Sequence, residues 1–590
     1  MDQVKYTCTG EVVTIVSNMV VVKANGPLSQ NEICYFIHNG KHLMGEVIRI
    51  SGNNAYTQVF ESTRGFKAGM EVRFTGQMLE VYLGPGMLTK NFDGLQNDLN
   101  KMEGVFLERG ARTFPLDEEK EWTFEPLLKP GAEVVAGSWL GEVDEYGTPH
   151  KIMAPFRMSG TYKLSSILPA GKYKISDTIA VLSGSNGEEL KVTMVQTWPV
   201  KIPITCYKEK IRPSVLFETG IRVIDTLNPI LEGGTGFIPG PFGSGKTVLQ
   251  HALGKQAAAE VVIVAACGER ANEVVELFTE FPELDDPRTG KKLIERTVIV
   301  ANTSNMPVAA REASVYTAMT IAEYFRAMGL RTLLLADSTS RWAQALREMS
   351  NRLEELPGPD AYPMDLSAII SNYYARAGYT VLPNGQKGSV TFIGTVSPAG
   401  GNLLEPVTEA TKKVARCFFA LSQERADSKR YPAIDPLDSY SKYLEYPEFD
   451  DFAKKNIAEN WLEEVEYIKN AMVRGREVYE QINILGDDGV PVDYHVIFWK
   501  SELIDFTVLQ QDAFDPIDGN TSIPRQKYMV EKVNQILRTQ FLFDNFEEVR
   551  VFFKKGIYIL KQMNYSEFNG AQFRGFEQEL EGIINEKVMA

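Results

Sequence analysis

The eight residues Gly240 to Thr247 read "GPFGSGKT", a G-x-x-x-x-G-K-T spacing. No other stretch of the chain restricts its fold so tightly. A loop that wraps phosphate oxygens must turn its backbone N–H groups inward, and glycines supply the positive φ angles and close approach that this needs. Such a loop hangs between a strand and the N-terminus of a helix, where backbone dipoles favour anions. The flanks agree. "GGTGFIPG" runs a short apolar segment into glycine, and "TVLQHALGKQAAA" has helical spacing, with Val248, Leu249 and Ala252 on one side. Gly240, Pro241, Gly243, Ser244, Gly245, Lys246, Thr247 and Val248 are therefore candidate nucleotide contacts. Lys246 can reach the β- and γ-phosphates, and the Thr247 hydroxyl can ligate Mg²⁺.

A phosphate loop marks a nucleotide and leaves hydrolysis open. The next two apolar runs bear on that. "VVIVAAC" (Val261 to Cys267) reads as a buried parallel strand and ends in "GER", which puts Glu269 at its C-terminal tip. Ligands of open α/β sheets bind outside the carboxyl ends of strands, so a carboxylate there can orient and deprotonate a water facing the γ-phosphate. A glutamate capping a strand at the surface has the same spacing. "LRTLLLADSTSRWA" carries Leu333, Leu334 and Leu335 into Asp337, the expected Mg²⁺-side partner of the loop, acting directly or through a water.

The chain has 590 residues, 44% of them hydrophobic, enough for several domains each with a core. Its 62 Lys and Arg against 77 Asp and Glu leave a net charge of −15, which argues against a nucleic-acid or anionic-membrane surface. Five cysteines without CxxC pairs fit a reducing compartment and no zinc site. "MDQVKYTCTG" lacks the apolar core of a signal peptide, and no run approaches the ~18 apolar residues of a membrane span. The expected location is cytoplasmic.

Four regions follow from composition and periodicity. Residues 1–75 read as short strands between turns, a small N-terminal β-barrel. Residues 76–204 hold a linker and a β-rich insertion. Within it "KPGAEVVAGSWLGEV" and "IMAPFRMSGTYKL" are similar to the halves of a lipoyl-type sandwich, but without the lysine that such carriers modify. Residues 205–435 alternate strands and helices, the pattern of a nucleotide domain with a central, mainly parallel sheet. Residues 436–590 read as a helical domain. The fold class is multidomain α/β.

With these motifs in place, the chain resembles the catalytic A subunits of V/A-type rotary ATPases over nearly its whole length. The resemblance rests on "VYLGPGML", "GPFGSGKT", "CGERANEV", "RTVIVANTSNMPVAAREASVYTAMTIAEYFR", "ADSTSRWAQALREMSNRLEELPG", "TVSPAGGNLLEPVT" and "LQQDAFDP". It implies a RecA-like nucleotide domain, ATP or ADP with Mg²⁺ as ligands, Glu269 as the water-activating group and Arg270 as a γ-phosphate ligand. It further implies Asp337 as the Walker-B aspartate, with Arg341 one helical turn on, and Phe242, Phe418 and Phe514 as walls of the adenine pocket. The implied partners are a non-catalytic subunit of similar fold alternating in a hexamer, a central rotor stalk and a peripheral stalk. The membrane sector is contacted only indirectly, and no nucleic acid is bound. The sequence departs from the family pattern at Ala271, Ile369, Ala375 and Asn402. Ser244 stands where eukaryotic vacuolar subunits carry cysteine, a prokaryotic trait. Two other readings remain at this point. One is a hexameric nucleic-acid translocase, which would want a basic channel. The other is a non-catalytic ring subunit, which should lack the loop lysine or the glutamate.

Overall fold

The computed structural model describes residues 5–101, 110–241, 243–304, 306–398 and 401–588. They form two compact units: one spans Met1–Ile211, Ala259–Val396 and Glu409–Thr411, the other Arg212–Ala258, Ser397–Thr408 and Lys412–Ala590.

The first unit opens with a closed barrel. Its strands are β1 (Cys8–Val16), β2 (Met19–Ala24), β3 (Glu32–His38), β4 (Lys41–Ser51), β5 (Asn54–Val59) and β6 (Glu71–Met78), in the order β1-β2-β5-β4-β3-β6. The inward-facing positions are Val, Phe and Leu (Val20, Val22, Phe36, Leu43, Val47, Phe74), which fill the interior. Register shifts in β1 between Val12 and Thr14, and in β4 between Val47 and Arg49, provide the local bend that closure needs.

Two four-stranded antiparallel sheets follow in the insertion, built from short strands between Glu121 and Val192. Trp122, Phe124, Leu140, Ile152, Leu164 and Leu182 are among its buried side chains. A buried polar chain ties the insertion to the long helix Val308–Ala327: His150 bonds Glu145 at 2.6 Å and the Tyr324 hydroxyl at 2.9 Å. The Trp139 indole also donates to the Ala327 carbonyl at 3.0 Å.

Strands Asn91–Phe92, Thr297–Thr303, Val261–Glu269, Arg331–Asp337 and Lys387–Val396 lie side by side in that order, all parallel. Their continuous apolar runs are buried along nearly their whole length, which is what a sheet covered on both faces requires. Gly378–Val381 and Glu209–Ile211 extend the sheet antiparallel.

In the second unit the strand Thr235–Pro239 pairs in parallel with Cys417–Phe418 and leads into the phosphate loop and the helix Lys246–Gln256. Beyond Pro447 the unit is helical, its longest members Trp461–Leu485, Ile523–Arg538 and Phe546–Asn564. The segment just before the loop is tied to this helical region by a buried polar clasp. Arg222 donates to Asp518 at 2.5 Å, to the Thr521 hydroxyl at 3.2 Å, and to the carbonyls of Val508 and Gln510. Asp225 accepts from Thr219, from the Gly220 amide and from Gln526. Burial pushes its carboxyl up to about 6, against these hydrogen bonds.

Candidate functional site

The loop takes the shape its glycines dictate. Gly243 and Gly245 have φ of +81° and +89°, a region costly for any residue with a Cβ. Gly245 caps the helix Lys246–Gln256, so the loop delivers its amides to a helix N-terminus. Gly240 is required for a different reason: a Cβ there would meet the Leu421 Cβ at 2.7 Å and the Ser244 Oγ at 2.8 Å. The Ser244 hydroxyl donates to the Pro241 carbonyl at 2.8 Å and so braces the loop from inside. Lys246 folds back over the loop, its Nζ donating to the carbonyls of Gly240 at 2.6 Å and Pro241 at 3.2 Å. Thr247 and Val248 are exposed.

Beside the loop, within the same unit, lies a cavity of about 530 Å³. Gly243, Gly245 and Val248 line it from the loop side; Leu421, Tyr431, Phe506 and Phe514 line it from elsewhere in the unit. Phe514 is 87% exposed, an apolar ring held open to solvent. Phe418 lies outside these walls. It is buried in its strand against Phe237, with ring centroids 5.1 Å apart, and stacked on Tyr440. Tyr431, beside the Gly245 Cα, takes a wall position that the sequence did not announce. Phe242 lies outside the described residues.

The two carboxylates belong to the first unit. Glu269 ends the strand Val261–Glu269, and Asp337 ends the neighbouring parallel strand, where it pairs in register with Ala266. Both therefore stand at the carboxyl edge of the sheet. The Asp337 Oδ1 accepts from the Thr395 hydroxyl at 2.6 Å. Burial drives the Glu269 carboxyl up to about 8. A hydrogen bond with Glu273 and the charge of Asp337 add to this rise, and Arg341 opposes it. Arg341 is on the first turn of the helix Thr339–Arg352. Arg270 is largely exposed and reaches Glu273 at 4.0 Å. Gly268, at φ +69°, lets the strand tip pass the side chains of Arg311 and Arg341; a Cβ would sit 2.7 Å from the Arg311 Cδ.

Strand, glycine loop and helix define a P-loop nucleotide-binding protein. Three sequence models of one family match the chain: the ATP synthase alpha/beta family nucleotide-binding domain over residues 220–441, the alpha/beta subunit barrel-sandwich domain over 113–201, and the alpha/beta family beta-barrel domain over 10–76. The V-type ATP synthase alpha chain of Borrelia garinii subsp. bavariensis is 48% identical over 98% of this chain and 99% of its own length. That of Treponema denticola is 48% identical over 98% of this chain and 96% of its own. The chain belongs to the ATP synthase alpha/beta family, alongside these V-type alpha chains.

Proposed function

We propose that the chain is the catalytic subunit of a V/A-type rotary ATPase, hydrolysing or synthesising MgATP in a cycle coupled through rotation to transmembrane transport of H⁺ or Na⁺. One observation carries the catalytic reading over that of a nucleotide-holding ring subunit. Glu269 and Asp337 edge neighbouring parallel strands in a chain that also keeps Lys246 in its loop.

The residues fit the ligands. The Gly243 and Gly245 conformations leave the loop free of side chains where phosphate would approach, and a Cβ at Gly243 would meet nothing within 4 Å. Thr247 and Asp337 offer the hard oxygen donors that Mg²⁺ prefers, Asp337 directly or through a water. When bound, Mg²⁺ neutralises charge on the β- and γ-phosphates. Lys246 exchanges its loop carbonyls for phosphate oxygens and fixes a cation against the transferring group. Glu269 takes a proton from the attacking water, and Arg270 holds the γ-phosphate. Arg341 lowers the proton affinity of Glu269 and so favours its base form. Phe514, which lines the cavity, receives the adenine together with Phe242; Phe418, packed between Phe237 and Tyr440, is not among the walls.

The site is completed in an alternating hexamer by an arginine from a non-catalytic subunit of similar fold. The chain works at the cytoplasmic side, peripheral to the membrane sector, through rotor and peripheral stalks. Among the described residues no helix is long and apolar enough to cross a membrane.

The test is to part binding from chemistry in the assembled complex. Lys246→Ala should abolish turnover. Glu269→Gln should leave MgATP binding by calorimetry intact while the steady-state rate falls about 10²–10⁴-fold. Undiminished turnover in Lys246→Ala would sink the assignment, and joint loss of binding and rate in Glu269→Gln would make that residue structural.

A further inference from the structure

A second cavity, of about 550 Å³, lies in the first unit between the strand Glu209–Ile211 and the helices Val308–Ala327 and Leu366–Tyr374. It shares no residue with the loop or with Glu269, Asp337 and Arg341. In a chain of net charge −15 its lining holds Lys201, Lys210, Arg326 and Arg376 against the single carboxylate Glu323.

Two of the four cations are answered. Arg376 holds Glu323 through two hydrogen bonds, of 3.1 and 2.6 Å. Lys201 reaches Glu46 at 2.9 Å and Glu312 at 3.6 Å. The other two are not answered in kind. Arg326 is almost fully buried and donates to the carbonyls of Arg376 at 2.8 Å and Ile204 at 3.0 Å. Its only ion-pair contact among the described residues is the already committed Glu323, at 3.9 Å. Lys210 donates to the Ala375 carbonyl, and among the described residues no carboxylate comes within ion-pair distance of it. Carbonyl dipoles satisfy hydrogen-bond donors but leave the net charge in place. From the helix Leu366–Tyr374 and the residue that caps its C-terminus, Ile369, Asn372, Tyr373 and Ala375 line the cavity, none of them a carboxylate.

We infer that this cavity binds a small multivalent oxyanion of the phosphate type, held by Lys210 and Arg326. Planar guanidinium and point-charge ammonium are the pair that phosphate sites use. Burial and then the charge of Arg326 press the Lys210 ammonium down to about 8, against the opposing charge of Glu323. Ile204 and Ile369 give the cavity an apolar wall beside the charge. The inference stands whether or not the chain is catalytic.

The phosphate loop would bind the same probes, so the experiment uses the full chain carrying Lys246→Ala. Calorimetry with inorganic phosphate, pyrophosphate and ribose 5-phosphate should show one site per chain. Adding Lys210→Ala should weaken it by about tenfold or more, the value of one charge-assisted hydrogen bond, while Lys210→Arg should keep most of the affinity. Tighter binding of ribose 5-phosphate than of phosphate assigns the site to a phosphorylated metabolite; the reverse order assigns it to the free ion. A footprint covers the case in which Lys210→Ala fails to fold. Saturating pyrophosphate should protect Lys210 from acetic anhydride in the Lys246→Ala chain. Absence of binding in that chain, affinity unchanged by Lys210→Ala, or an unprotected Lys210 would overturn the inference.

Discussion

Exchanging Glu269 for glutamine should make the nucleotide-free protein more stable at alkaline pH, by an amount that grows with pH. Glu269 has its carboxyl raised from 4.5 to about 8, chiefly by burial, then by Glu273 and Asp337. Below pH 4.5 the group is protonated in folded and unfolded chains alike and contributes no pH dependence. Between 4.5 and 8 the unfolded chain gives up the proton while the folded chain retains it, so stability falls as pH rises. Above 8 the full cost is present. Each pH unit in that window is worth about 1.4 kcal/mol at most, which sets a ceiling of roughly 5 kcal/mol. Solvent at the half-buried carboxyl and proton sharing with Glu273 reduce this to about 2 kcal/mol. Glutamine keeps the hydrogen-bonding shape and never ionises. Thermal unfolding of both chains from pH 4 to 9 should give midpoints that coincide in acid and separate by about 2–4 °C in base. Curves that stay parallel across the range would show that Glu269 is not held protonated by its surroundings.

Two further perturbations test the framework around the site. Gly268→Ala should cost about 1–2 kcal/mol in thermal stability, because an L-residue must adopt φ +69° with its Cβ against Arg311. The same change should lower ATPase turnover disproportionately by displacing Glu269; an unchanged rate would mean that the strand tip has slack. Arg222→Ala should destabilise the second unit by about 3–5 kcal/mol in urea unfolding, since Asp518 is left buried without its cation. Hydrogen exchange should then quicken first around Val508 to Thr521.

What the sequence disclosed was local. The phosphate loop could be read because its spacing, its glycines and its flanking strand and helix lie within some twenty residues of one another. The strands ending at Glu269 and Asp337 were legible for a similar reason: a continuous apolar run has few other uses. The barrel showed itself through short strands punctuated by turns. Long-range polar contacts had no such signature. Arg222 and Asp518 are 296 residues apart, and nothing near "GIRVID" announces a buried arginine. Phe418 shows the limit of pattern. "CFFAL" spells a core strand and a base-stacking wall equally well, and the ring is packed between Phe237 and Tyr440. Tyr431, which lines the cavity, sits in "SKRYPAID", a polar stretch without periodicity. The cation-rich cavity was equally silent, since Lys210, Arg326 and Arg376 are scattered over 167 positions and meet only through the fold.

The clasp on Arg222 and Asp225 bears on how the protein is made. Asp225 waits for Gln526, which the ribosome adds 301 residues later. At roughly 5–20 residues per second that interval is about 15–60 s. Throughout it the phosphate loop exists without the partners that fix its approach, while the barrel and the insertion, both earlier in the chain, already have every strand they need. A nascent chain arrested before residue 518 should therefore resist protease in its barrel and insertion, up to Val192, and be cut readily around residues 212–258. For this protein, the part that grips nucleotide is among the last to become solid.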